Sequence, residues 1–313
     1  MADIEINKVI IRPGEQKEVR INVGHLASGT KIHIPVNVFR SKVEGPTVLV
    51  LGGVHGDEIN GVEIVRRCIE KDIFANLNRG SVISIPLLNV YGFINFSREI
   101  PFGKDVNRSF PGTNNGSLAS RVARVLTKKI LPFVDYGVDF HTGGDSRYNF
   151  PQIRYTTGDA QAKKLAYAFG APITLSRSAI AKSLRRVAKD MGVTMLVFEG
   201  GEASRFDGFA IDSGITGLQR LMKHLEMIDS KVHDLPTRHF NKTRWIRSDH
   251  AGIFTWSKSS GNIVTKGEPL GYVNDPNGLK SHKVIAKVSG FLIGHNNAPV
   301  VRQGDALFHI ALE

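Results

Sequence analysis

The strongest constraint on this chain is a set of short, nearly continuous apolar runs: TVLVLGG at 47–53, SVISIPLL at 81–88, YGVDF at 136–140 and TMLVF at 194–198. A strand with one wet face alternates polar and apolar residues, whereas a run without alternation suits a strand covered on both faces. Residues 31–40, KIHIPVNVFR, do alternate and read as a half-buried strand. Between the runs, the stretches 59–72, 118–131, 160–169, 179–191 and 213–228 carry apolar residues every three or four positions, the period of an amphipathic helix. Strands and helices in alternation imply an α/β sheet flanked by helices on both sides.

The pattern changes near residue 232. Helical periodicity stops, and short β-type runs follow, punctuated by glycines at 252, 261, 267, 271, 278, 290, 294 and 304. The phrases GNIVTKGEPLGYV and SGFLIGHNNAPVVRQGDALFHI both read as strand, turn with KG or QG, and strand, which suggests a small internally repeated barrel or sandwich. Single cores stop growing at about 250–300 residues, and the chain has 313. The expected organisation is therefore a domain over 1–232, a linker at 233–243 (HDLPTRHFNKT) and an all-β domain over 244–313.

Composition narrows the function classes. At 41% hydrophobic and 22% charged residues, the chain is globular rather than disordered. No run of 18 apolar residues is present, so no membrane partner is expected. Cys68 has no partner for an internal disulfide, and the opening MADIEINKVI lacks the features of a secretory signal; a reducing cytoplasm fits both. The net charge of +12 invites an acidic partner. Yet the basic residues of RVARVLTKK and KSLRRVAKD fall at helical spacing, without interleaved aromatics or a nucleic-acid motif, so they read as a solvated face and no nucleic-acid partner is expected. A homo-oligomer is compatible with the sequence, which does not set the oligomeric state.

Chemistry concentrates after the strand-like runs. In LGGVHGDEING, 51–61, an apolar strand passes through glycines into His55 and Glu58 and then a helix. A lone His-x-x-Glu pair is close to a chance match, but ligands of open α/β sheets bind at the carboxyl ends of strands, where this pair falls. Zinc accepts imidazole and carboxylate donors, and a catalytic site uses three of them. YGVDFHTGG offers the third, His141, again ending a buried-type strand. Asp139, two residues earlier on the same strand face, suits a carboxylate behind a ligand imidazole or a plain buried, hydrogen-bonded Asp. The loop SREIPFGKDVNRSFPG, 97–112, holds Arg98, Asn107 and Arg108; a planar guanidinium beside an amide makes a carboxylate clamp. In MLVFEGGEAS, 195–204, Glu199 and Glu202 are both candidate general bases, Glu199 the better placed because it directly ends the strand.

With these motifs, the chain resembles the succinylglutamate desuccinylase/aspartoacylase family, relatives of carboxypeptidase A-type zinc hydrolases, over nearly its whole length. The matching parts are Gly52-Gly53-Val54-His55-Gly56-Asp57-Glu58, Asp105-Val106-Asn107-Arg108-Ser109-Phe110-Pro111-Gly112, Asp139-Phe140-His141 and Phe198-Glu199-Gly200-Gly201. The resemblance implies a zinc-carboxypeptidase-like mixed sheet flanked by helices, with a C-terminal barrel-sandwich-like β-domain. It also implies one Zn2+ per chain on His55, Glu58 and His141, Glu199 as general base and then acid, Arg98 stabilising the oxyanion, and Asn107 and Arg108 holding a substrate carboxylate. Ser183-Leu184-Arg185-Arg186 is similar to a region where some members bind an acidic acyl group, with Arg185 the closer match and Arg186 the alternative. The implied reaction is cleavage of the amide of a small N-acyl amino acid. A peptide or poly-glutamate carboxypeptidase with the same metal centre, and a non-catalytic binding protein on the same fold, are the rival readings. The lipoyl-like look of the β-domain implies no carrier arm: Lys280 and Lys283 are the nearby lysines, and neither sits at a hairpin tip between hydrophobic flanks.

Overall fold

The computed structural model describes residues 2–312. Thr47–Leu51 lies between Ser81–Ile85 and Tyr136–Gly143 and runs parallel to both, and Thr194–Glu202 continues the parallel set beyond Tyr136–Gly143. The sheet extends antiparallel through Lys31–Arg40 and Gln16–His25 at one side. At the other side it extends through Arg147–Thr156, antiparallel to Thr194–Glu202, and Ile173–Arg177, parallel to Arg147–Thr156.

Every residue of Thr47–Leu51 and of Ser81–Ile85 is buried, which is why those runs do not alternate. Leu49, Leu51, Ile83 and Ile85 point into one core, shared with Val122 of helix α3 (Leu118–Val125) and Ala188 of α5 (Leu184–Asp190). Val48, Val50, Val82 and Val138 point into the other core. They meet Ile64 of α1 (Ile59–Glu70), Leu165 of α4 (Ala160–Phe169) and Leu218 of α6 (Gly208–His224). Each such side chain contributes about 1.5–3 kcal/mol by leaving water, so the two-sided cover fixes the strand order more firmly than any polar contact does.

Helix limits differ from the periodic stretches because caps, which periodicity does not register, set them. The stretch 118–131 is α-helical only over α3 and continues as a single π turn, Leu126–Ile130. The stretch 179–191 narrows to α5, whose start is capped by the Ser183 hydroxyl accepting from the Arg186 amide. The last helix begins earlier than residue 213, where Asp207 caps α6. One short helix, α2 (Val90–Ile94), has no counterpart in the periodic pattern.

From Arg238 onward the described residues are all strand and turn. The two similar phrases fold alike: Ile263–Val264 and Val300–Val301 each enter a turn that leads to Pro269–Asn274 and Ala306–Leu312. In the first turn the Thr265 amide donates to Glu268 Oε2 at 2.9 Å, and in the second the Arg302 amide donates to Asp305 Oδ2 at 2.8 Å. Gly267 and Gly304 share a φ of 91°, a left-handed conformation that favours glycine.

Two pairings tie this region to the rest of the chain. Part of the stretch read as a linker, Arg238–Phe240, is a strand paired parallel to Ile173–Leu175. The β segment also joins the larger sheet: Gly290–Asn296 pairs antiparallel with Arg147–Asn149, and Ala306–Leu312 and Lys242–Arg247 follow in the same sheet. Ile173, Leu175, Phe240, Phe291, Ile293 and Ala311 form one apolar cluster across the junction. Unpaired edge strands expose backbone donors and acceptors, and this pairing satisfies them while carrying Trp245 and His309 to the strand ends of the larger sheet.

Candidate metal centre

His55 sits in the loop after Thr47–Leu51, Glu58 immediately precedes α1, and His141 lies on Tyr136–Gly143. Their donor atoms all fall within 4.8 Å of one another. Glu58 Oε1 is 2.7 Å from His55 Nδ1, Glu58 Oε2 is 2.8 Å from His141 Nδ1, and the two Nδ1 atoms are 3.2 Å apart. Both imidazoles therefore turn the same nitrogen inward, and each Nε2 meets a carboxylate behind it: Asp139 Oδ2 at 2.8 Å for His141 and Asp105 Oδ1 at 3.3 Å for His55. A carboxylate behind each imidazole fixes the tautomer that leaves Nδ1 free as a donor.

Close backbone packing sets the entry loop. A Cβ on Gly56 would lie 2.0 Å from the carbonyl carbon of Gly92, so only glycine allows the His55–Glu58 turn to rest against α2. Burial opposes charge throughout the cluster, but its partners prevail. The Glu58 carboxyl, which burial would push up, is held well below the usual range by His55 and His141. His141, which burial would push down, is raised well above its ordinary value by Asp139 and Glu58. Arg98 donates from Nη1 to Glu58 Oε1 at 2.9 Å and from Nη2 to Asp105 Oδ2 at 3.1 Å, with Nη1 also 3.2 Å from His55 Nδ1.

These residues open onto a cavity of about 490 Å3. Glu199 lies beside His141, its register partner on the neighbouring strand. Its oxygens accept from Arg154 Nη1 and Asn149 Nδ2, each at 2.8 Å. Glu202 is different: its carboxylate accepts from Asn297 Nδ2 at 2.6 Å, and it does not line the cavity. Asn107 and Arg108 line it, with Asn107 Oδ1 accepting from the Leu184 amide at 2.9 Å, which leaves Nδ2 free to donate. The choice between the paired arginines is geometric: Arg185 lines the cavity, while Arg186 is exposed and bonds Asp190 at 3.0 Å.

Sequence reasoning missed several cavity residues. Asp105 lies inside the DVNR phrase but carries no mark of its position behind His55. Asn149 and Arg154 lie on Arg147–Thr156 and Arg177 ends Ile173–Arg177, strands not singled out in the sequence. Trp245 and His309 come from the β segment, stacked with ring centroids 4.1 Å apart. Only the inter-strand pairing brings them here.

The fold and the converging donors define the class: an α/β protein with a three-donor, metal-competent cluster at the strand ends of its sheet. The chain belongs to the succinylglutamate desuccinylase/aspartoacylase family, whose catalytic domain it matches over residues 44–225. It is 27% identical over 299 residues to the N-alpha-acetyl-L-2,4-diaminobutyric acid deacetylase of Halomonas elongata, covering 90% of this chain and 86% of that protein. Among solved structures it is similar to a succinylglutamate desuccinylase/aspartoacylase from Rhodobacter sphaeroides, with a TM-score of 0.85 and 25% identity over 100% of this chain and 98% of that one. The product-bound ectoine utilization protein of Ruegeria pomeroyi shares the fold, with a TM-score of 0.87 and 22% identity over 99% of each chain. No helix among the described residues is long and apolar enough to cross a membrane.

Proposed function

We propose that this protein is a zinc-dependent deacylase that hydrolyses the amide of a small, carboxylate-bearing N-acyl amino acid, working in the cytoplasm with one Zn2+ per chain. In this reading residues 1–232 form the catalytic domain and 244–313 the β-domain that walls the cavity. The observation that carries it is the convergence of His55 Nδ1, Glu58 and His141 Nδ1, each imidazole backed by a carboxylate, beside Glu199. The donor set suits zinc: two imidazoles and a carboxylate form a catalytic triad of ligands, and the cationic Nη1 of Arg98 already rests against two of the three donors. When bound, zinc supplies a Lewis acid for the scissile carbonyl and lowers the pKa of water.

The chain's own residues divide the remaining work. Glu199 takes a proton from water and passes it to the leaving amine nitrogen; Arg154 and Asn149 hold its two oxygens in place. Arg98 donates to the developing oxyanion, where loss of one preorganised donor costs about 2.7–4 kcal/mol. Arg108 and the free Nδ2 of Asn107 bind the substrate carboxylate, and Arg185 faces the same cavity. Water and the amide are consumed, and a carboxylic acid and a free amine are produced. A wall that includes Trp245 and His309 favours small substrates over polymer chains.

The test is a panel of N-acyl amino acids assayed for amine release by zinc-loaded protein. Glu199→Gln is expected to retain zinc and lose turnover, whereas His55→Ala and His141→Ala lose the metal. Full zinc retention in both histidine variants, or unchanged turnover in Glu199→Gln, refutes the assignment.

A further inference from the structure

The basic residues of RVARVLTKK lie outside the cavity and take no part in the deacylase reading. Arg121 and Arg124 stand on α3, and Lys128 and Lys129 on the π turn that continues it. The opposite side of this segment, Ala119, Val122, Ala123 and Leu126, is buried in the core it shares with Leu49 and Ile83. The segment therefore cannot rotate to disperse its charges. With Asn22 of the strand Gln16–His25 and with Asn114, the four cations line a groove of about 360 Å3, within the size range of small-molecule sites.

Nothing acidic offsets them. No Asp or Glu occurs in residues 19–43 or 106–134, the segments that supply both walls, and no carboxylate lines the groove among the described residues. The partners are neutral amides: Arg124 Nε donates to Asn114 Oδ1 at 2.6 Å, and Lys129 Nζ donates to Asn7 Oδ1 at 2.9 Å. A Cβ on Gly24 would lie 3.0 Å from Arg121 Nη2, so this guanidinium rests directly on the neighbouring strand, yet its Nε is buried and has no hydrogen-bond partner. Like charges gathered in one concavity repel one another and raise the local concentration of anions. Phosphate suits such a site, because Arg binds its oxygens in pairs and Lys binds it as a point charge. A phosphate monoester carries about −1.5 to −2 at pH 7, so two phosphates are needed to balance four cations. No aromatic side chain lines the groove among the described residues, which leaves no platform for a stacked nucleobase.

We propose that the groove formed by Arg121, Arg124, Lys128 and Lys129 is a binding site for a small anion bearing two phosphate groups, separate from the cavity that holds His55 and Glu199. It stands on its own residues and does not depend on the deacylase reading. Two sources share the chemistry: a sugar bisphosphate, whose phosphates are apart, and the linked diphosphate of a nucleotide. A nucleic acid fits less well, because the cations converge on one compact concavity without stacking aromatics.

Isothermal titration of the full chain at about 0.15 M salt compares fructose 1,6-bisphosphate, ADP and fructose 6-phosphate. At least one of the first two is expected to bind about 10-fold or more tightly than fructose 6-phosphate, the worth of an added charged hydrogen bond. Which one does so tells whether the two phosphates sit apart or linked. Arg121→Gln and Arg124→Gln each weaken that binding by about 10-fold or more, whereas Arg185→Met, in the main cavity, leaves it unchanged. Lys128 is exposed, so Lys128→Gln, with thermal unfolding as the check on folding, carries the test if an arginine variant fails to fold. Equal affinity for fructose 6-phosphate, loss of binding in Arg185→Met but not in the groove variants, or no binding tighter than about 1 mM overturns the site. Tighter binding of a short single-stranded RNA, lost in the same groove variants, overturns the small-ligand assignment in favour of a nucleic-acid surface.

Discussion

Asp139→Asn tests the proposed metal centre from behind His141. The Asp139 and His141 side chains are 3% and 5% exposed, and Oδ2 lies 2.8 Å from Nε2 of the imidazole whose Nδ1 faces Glu58. Asparagine keeps the shape and removes the charge, so the imidazole loses the anionic acceptor that orients it and raises its basicity. Removing such a partner lowers metal affinity by about 10- to 100-fold, or about 1.4–2.7 kcal/mol. Competition between the protein and a zinc-binding dye at fixed pH measures the change directly. Thermal unfolding supplies the control: stabilisation by excess zinc shrinks by about 1.4 kcal/mol for each tenfold loss of affinity. An Asp that merely filled a buried hydrogen-bonding position would weaken the protein equally with and without metal. Affinity within about threefold of wild type would falsify the carboxylate–histidine arrangement as a determinant of metal binding.

Arg108→Ala is expected to raise KM for N-acyl amino acids about 10-fold or more, the worth of a charged hydrogen bond, with kcat less affected; the opposite split would remove Arg108 from the carboxylate site. Arg186→Ala is expected to leave both constants unchanged, because its partner is Asp190 on the outer face of α5. Gly56→Ala forces a Cβ against the α2 backbone and is expected to cost about 1–3 kcal/mol of stability; urea denaturation measures it, and a neutral result would mean the loop relaxes freely. His295 is buried and accepts at Nδ1 from the Ser260 hydroxyl at 2.7 Å, and burial lowers it to about 4. The unfolded chain binds this proton from about pH 6.5 downward, so the contribution of neutral His295 is complete above that value. It is lost as the pH falls towards 4, by about 1.4 kcal/mol per pH unit. His295→Asn flattens that slope in denaturation curves recorded between neutral and mildly acidic pH, and an unchanged slope would mean the imidazole is not buried in neutral form.

The apolar runs and their helical spacers exposed the α/β architecture because each records a local demand: Val48 and Leu49 face opposite cores, so neither position tolerates a polar side chain. The candidate site positions were legible for a similar reason, since His55, Glu58, His141 and Glu199 all follow such runs. The strands Arg147–Thr156 and Ile173–Arg177 were not legible. Their sequences, RYNFPQIRYT and ITLSR, mix buried apolar residues with polar ones that face a wet cavity or a neighbouring strand, so no simple period survives.

By itself, the sequence marked candidate metal-binding and proton-transfer residues, and showed that two types of architecture follow one another along the chain. Those are properties of residue type and near-neighbour spacing. Tertiary structure decided that Asp105 stands behind His55, that Arg185 rather than Arg186 meets the cavity, and that Gly290–Asn296 hydrogen-bonds to Arg147–Asn149. That last pairing brings Trp245 and His309 to a cavity that His55 and Glu199 also line. Pairing between distant strands depends on which edges remain unsatisfied after the sheet has formed, and no local pattern encodes that.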